Sequence, residues 1–201
     1  MYGSIQWTQP LKWHLQFSSD ERTLIERIGL IAFFAGFTSL CAQIAFITPW
    51  TPVPYTFQTF AVMATGVFLR RNDAFLSGLL YLLLGAIGAP VFAEGKSGLF
   101  NDGALIASGG YLLAFPIASA VVAHSLDKSR TNGIPLVKMQ WLAWFFAMIP
   151  VYFFGTLWLS YSVGVGLGRA FALGVLPFIG WDIFKIAILG LITTKLWAYQ
   201  K

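Results

Sequence analysis

LGVLPFIGWDIFKIAILGLITTKL, residues Leu173–Leu196, is long and apolar, and it carries Asp182 and Lys185 in its first half. A membrane crossing needs about 20 such residues. An ionisable group inside one costs a few kcal/mol on insertion scales, so it turns toward protein or a wet cavity. At i and i+3 the two side chains share one helix face. Two readings follow: a structural pair that locks helices together, or a solute site in which the carboxylate accepts and the ammonium donates. Charge placement favours the solute site, because intramembrane ionisable groups are functional by default.

The rest of the chain has the same character. Of its 201 residues 57% are hydrophobic and 10% charged, with a mean hydropathy of +0.71. A soluble domain averages about 25% charged residues. The chain therefore reads as an all-α integral membrane protein with a single compact domain. Its net charge of +5 is scattered rather than clustered, which excludes a nucleic-acid surface. The single cysteine, Cys41, rules out an internal disulfide and reads as a small core residue. The first 20 residues hold no continuous apolar run and are no signal peptide. Trp7 and Trp13 look like interface anchors. The expected division is an interfacial or cytoplasmic segment over 1–23 and a six-helix membrane domain over 24–199.

Six apolar segments carry that domain: Leu24–Ile47, Phe57–Leu69, Ala74–Gly88, Gly109–Leu126, Trp141–Val163 and Leu173–Leu196. The second and third are short for a full crossing, so they are tilted, capped by protein or continued into loops. Ten of the 13 Lys and Arg residues fall before or at the start of the first segment, between two and three, between four and five, and at or after the end of six. Lys96 and Arg169 are the cations of the opposite loops. The positive-inside rule then puts both termini in the cytoplasm, and even parity agrees with six crossings. A last helix starting at Pro177 places Asp182 roughly 8 Å below the outer end, with Lys185 nearly a turn deeper.

Two outward loops stand out. Thr48–Thr56 packs Pro49, Pro52 and Pro54 into a stiff, extended stretch. Ala89–Ser108 is long, polar and glycine-bearing, which fits a lid better than a connector. Within it Glu94-Gly95-Lys96-Ser97 echoes a phosphate-binding loop, but Pro90 stands where that motif needs glycine. No other nucleotide motif is present, so any use of ATP belongs to a partner. His14 and His124 form no ligand spacing, and no GxSxG exists, so neither a metal site nor a membrane enzyme has support. Ala32 and Gly36 form a small-xxx-small pair in the first segment, with Ala35 and Ser39 on the next register. Spacing leaves internal packing and a docking face for another membrane protein level.

Four stretches carry a resemblance: TPVPYTFQT (51–59), YLLLGAIGAPVFAEGKSG (81–98), GGYLLAF (109–115) and GVLPFIGWDIFK (174–185). Their letters, order and spacing resemble the BioY family, the biotin-binding S components of energy-coupling-factor (ECF) vitamin transporters. The resemblance implies a six-helix S-component-like bundle in the bacterial cytoplasmic membrane. It implies a non-enzymatic subunit without a cofactor of its own. Biotin is then the transported ligand, and a coupling protein with ATPase subunits is the partner. Ligand-binding residues implied by the match are Asp182, Lys185, Gly95, Lys96, Ser97, Gly98, Asn101 and Tyr111. Ala32 and Gly36 become the docking stripe, which tips the level choice above. Beside the lipid bilayer, a homo-oligomer is left open as a further association.

The chemistry is consistent. Biotin offers a ureido ring with two N–H donors and one carbonyl, and a carboxylate tail. Asp182 suits the N–H groups, and Lys185 the carbonyl or the tail. Trp50, Phe92 and Trp181 are candidate walls for its bicyclic body. An S component for another small vitamin is the nearest alternative. A membrane scaffold with a structural Asp–Lys pair is the alternative from another class.

Overall fold

The computed structural model describes residues 22–101 and 104–198. Helix α1 (Leu24–Gln43) leads into an antiparallel hairpin of β1 (Ala45–Thr48) and β2 (Thr51–Thr56). Helices α2 (Gln58–Phe68) and α3 (Arg71–Ala86) follow. A long loop then holds a 3-10 turn at Ala93–Gly95 and a small hairpin of β3 (Phe100–Asn101) and β4 (Ala104–Leu105). The chain continues through α4 (Gly109–Thr131), α5 (Leu136–Val163), α6 (Leu167–Gly174) and α7 (Leu176–Ala198). The expected segment 1–23, with Trp7, Trp13 and His14, lies outside the described residues apart from Arg22 and Thr23.

Helix α1 starts where its sequence says it should. Thr23 Oγ1 accepts from the Glu26 N–H at 3.3 Å, and Glu26 Oε2 accepts from the Thr23 N–H at 2.9 Å, a reciprocal cap that satisfies two end groups. It ends at Gln43, earlier than the expected Ile47, because Ala45–Thr48 pairs with Thr51–Thr56. Pro52 and Pro54 bar a helix there, but a two-stranded ladder has a free edge on which their missing N–H groups cost nothing. The bundle is therefore mostly helical with two short hairpins, a correction to the purely all-α expectation.

A second correction concerns the last apolar segment. It begins at Leu167 and breaks at Val175, giving α6 and α7 rather than one helix from Leu173. Pro177 explains the break, since its ring would clash with the preceding turn of a continuous helix. In the second position of α7 it is harmless. At the break the Phe178 N–H turns to the Val175 carbonyl at 2.9 Å, which frees the Gly174 carbonyl for another donor.

Helix α4 is the axle. About two-thirds of its apolar window is buried (67%), against 22% for α1. It packs on α2, α3 and α5, with Leu112, Leu126, Tyr81 and Trp144 fully enclosed. Neighbouring helices alternate in direction. Arg22, Arg70 and Asp127 meet at one end, bringing together the start of α1, the α2–α3 junction and the last third of α4. Thr193 of α7 donates to Gln140 Oε1 of α5 at 2.5 Å, so α7 finishes at the end where α5 begins. At the other end Gln43 binds the Phe92 carbonyl and the Gly95 N–H.

The outside of the bundle is apolar. Ile25, Phe33, Leu40, Phe145 and Leu191 are all more than 60% exposed. An apolar belt of that extent needs lipid rather than water. The helices Leu24–Gln43, Gly109–Thr131, Leu136–Val163 and Leu167–Leu196 (the last counted across the break) are long and apolar enough to cross a membrane. The protein is an integral membrane protein. Helix α2, with 11 residues, is shorter, but it is buried along most of its length and continues into β2.

Candidate ligand-binding site

Near the hairpin end, α2, α4, α5, α7 and β2 surround an internal cavity whose polar wall is the Asp182–Lys185 pair. The two side chains are 7% and 4% exposed, and Lys185 Nζ lies 2.5 Å from Asp182 Oδ1. Their i, i+3 spacing on α7 turns both toward α2. Thr59 of α2 donates to Asp182 Oδ1 at 2.8 Å, and Tyr152 of α5 donates to Oδ2 at 2.6 Å. Lys185 donates in turn to the Thr59 hydroxyl and to the Thr56 carbonyl at 3.1 Å. An ammonium has three donors, and all three are engaged. The carboxylate takes three donors against about four lone-pair positions, so Oδ2 keeps room for one more.

Three further groups complete the wall. Tyr111 donates to the Gly174 carbonyl freed at the α6–α7 break, at 2.7 Å. Its ring is seated against Gly155 and Gly174, where an added Cβ would collide with the phenol. Gln58 donates to the Tyr81 hydroxyl at 2.5 Å and accepts from Thr56 Oγ1 at 2.8 Å. Phe115, Val151 and Phe178 supply the apolar surface. The cavity volume is only about 40 Å³. It is a narrow slot in which a ligand larger than a few waters must push the walls apart.

The structure brings together Asp182, Lys185 and Tyr111 of the expected ligand residues. Lys96 lies nearby on a second groove, also lined by Pro54 and Ser108, which are shared with the cavity. Its ammonium pairs with Glu94 Oε2 at 2.6 Å. Gly95, Ser97 and Gly98 belong to the same loop without lining the cavity; Gly95 and Gly98 take left-handed φ values of 69° and 74°. The Asn101 side chain lies outside what is described. Trp50, Phe92 and Trp181 do not line this cavity. Trp50 is 58% exposed, Phe92 packs on Tyr81, and Trp181 donates to the Thr56 carbonyl at 3.1 Å. The ring surfaces on the cavity belong to Tyr111, Phe115, Tyr152 and Phe178.

Thr59 and Tyr152 were not among the expected site residues. Thr59 closes the TPVPYTFQT stretch and had a signal there; Tyr152 had none. On α1, Ala32 and Gly36 face outward, and a Cβ at Gly36 would meet nothing within 4 Å. Ala35, on the next register, is the one buried inside the bundle. The Ala32–Gly36 stripe therefore does not serve packing among the described residues.

The BioY family model matches residues 12–201. The chain belongs to the BioY family. Among its curated relatives, the "Probable biotin transporter BioY" of Pyrococcus horikoshii is 37% identical over 171 residues, covering 85% of this chain and 96% of that one. A protein of the same name from Bacillus subtilis is 33% identical, with coverages of 80% and 86%. The fold is also that of a solved structure described as the S-component for biotin from an ECF-type ABC transporter. That match has a TM-score of 0.74 at 24% identity, over 86% of this chain and 90% of the other. The expected S-component-like bundle is thus the fold observed for this BioY family member.

Proposed function

We propose that this chain captures biotin in the Asp182–Lys185 cavity and delivers it as the membrane-embedded subunit of an ECF-type transporter. The observation that carries this reading is a buried ion pair facing a slot, with one carboxylate lone pair to spare, in a family whose relatives bear the name of biotin transporters. A protein interior seldom keeps such a pair without using it. The spare lone pair on Asp182 Oδ2 suits a ureido N–H. The ureido carbonyl accepts a hydrogen bond from Lys185, which gives up its bond to the Thr56 carbonyl. Tyr111, Phe115 and Phe178 cover the bicyclic body, a mostly apolar pocket with few polar contacts.

In this reading the domain over 24–199 crosses the membrane six times with both ends cytoplasmic, and 1–23 lies along the interface. The concentration of Arg and Lys at the end opposite the slot supports that orientation. Biotin then enters from outside, between the β1–β2 hairpin and the Ala89–Ser108 loop. The exposed Ala32–Gly36 stripe meets the coupling protein, and ATPase subunits supply the energy. Lys96, Ser97 and Asn101 act from the loop as it closes.

The test is equilibrium binding of labelled biotin to the purified protein. Wild type binds. Asp182→Asn and Lys185→Met each weaken binding at least about tenfold, equivalent to about 1.4 kcal/mol. Wild-type affinity in both variants overturns the site. Competition with other vitamins separates biotin from a neighbouring specificity.

A further inference from the structure

At the end of the bundle opposite the slot lies a second cavity of different chemistry. Arg22 ahead of α1, Arg27 in its first turn, Arg70 and Arg71 at the α2–α3 junction, and His124 of α4 line it. Its volume is about 460 Å³. Two carboxylates share the lining, and both have cations of their own. Asp73, 2% exposed, accepts two bonds from Arg27, at 3.1 and 2.7 Å. Asp127 holds Arg130 at 2.7 Å. Four guanidinium groups against two carboxylates leave the lining positive. The first turn of α3 borders the cavity as well. Its N-cap residue, Arg70, makes no side-chain cap, and a helix start favours an anion.

What the cavity opens beside narrows the ligand. The turn of α1 that carries Arg27 also carries Leu24, Ile25 and Ile28, which are 68%, 83% and 56% exposed. A polar pit of guanidinium groups therefore adjoins a bare apolar helix face. Guanidinium forks match phosphate oxygens in pairs. Basic pockets between membrane helices take anionic headgroups. We propose that this cavity holds the phosphate of an anionic phospholipid headgroup, with the acyl chains laid along the Leu24–Ile28 face of α1. Free phosphate shares the headgroup chemistry but leaves that face bare.

The experiment uses the full chain in detergent, offered equal amounts of phosphatidylglycerol and phosphatidylcholine with identical acyl chains. Bound lipid is read by native mass spectrometry. Wild type retains phosphatidylglycerol selectively. Arg70→Gln with Arg71→Gln lowers that retention roughly tenfold or more while labelled-biotin binding stays at the wild-type level. If the double variant fails to fold, Arg71→Gln alone gives a smaller loss in the same direction. Equal retention of the two lipids, or unchanged retention in the variants, overturns the proposal. So does thermal stabilisation by inorganic phosphate equal to that by the lipid. Loss of coupling-protein co-purification with lipid retention intact assigns the cavity to an acidic protein surface and also overturns it.

Discussion

Consider the cycle formed by Asp182→Asn, Lys185→Met and the double variant. Each charge is nearly sealed from solvent, and each is the other's only ionic partner among the described residues. Removing one leaves a buried charge uncompensated, which costs about 3–5 kcal/mol. For a chain of this length that corresponds to a fall of roughly 10 °C in midpoint temperature. Removing both deletes the problem with the pair. Met replaces Lys with similar bulk, and Asn keeps one oxygen as acceptor for Thr59 or Tyr152 while its NH2 group donates to the hydroxyl of the other. The double variant is then expected within a few degrees of wild type, so the two losses are strongly non-additive. Heating in detergent followed by size-exclusion chromatography measures the midpoint, and equilibrium dialysis with labelled biotin measures binding. Stability returns in the double variant; binding does not, because the ureido group has lost the carboxylate oxygen that accepts from its N–H and the ammonium that donates to its carbonyl. A double variant that is stable and binds like wild type refutes the ligand role. A single variant as stable as wild type refutes the energetic reasoning about the pair.

Other outcomes follow from the same geometry. Tyr152→Phe removes one of three donors to the carboxylate; a bond to a charged group is worth about 1.5–3 kcal/mol, and biotin affinity should fall about tenfold with little change in expression. Gly155→Val drives a side chain into the Tyr111 ring, so thermal stability drops by about 1–3 kcal/mol and biotin binding weakens, both readable in the assays above. Ala32→Trp with Gly36→Trp fills an outward face, so biotin binding persists while uptake in cells and coupling-protein co-purification fail; loss of binding would mean that α1 packs differently.

The sequence revealed the parts of this molecule whose physics is local. Long apolar runs gave the helices to within a few residues, and Asp182 with Lys185 stood out because charge is rare in such a run. The Pro-bearing stretch was recognised as extended, but its partner strand was absorbed into the first helix, since Ala45–Thr48 is as apolar as the helix before it. The α6–α7 break was hidden for the same reason: Pro177 marked a start, while the apolar residues ahead of it looked continuous. Tyr152 was invisible because one tyrosine in a helix rich in aromatics has no distinguishing pattern. Only the packing of α5 against α7 gives it a carboxylate to meet. The rings that line the cavity were not singled out because aromatic residues near a loop look alike in sequence, whether they face a slot, a backbone carbonyl or lipid.

The placement of both charges on one helix bears on how the protein is made. A lone Asp or Lys near the middle of a nascent segment adds about 2.5–3.5 kcal/mol to its insertion from the translocon. Partners on different helices would each bear that cost until the helices met. Here the carboxylate and ammonium are a turn apart on α7, and their contact needs no other helix. The segment reaches the lipid as an internally neutral unit, although it is synthesised after the helices that build the rest of the pocket. Thr59 and Tyr152 then receive a pair already formed, so biogenesis does not wait on assembly of the pocket.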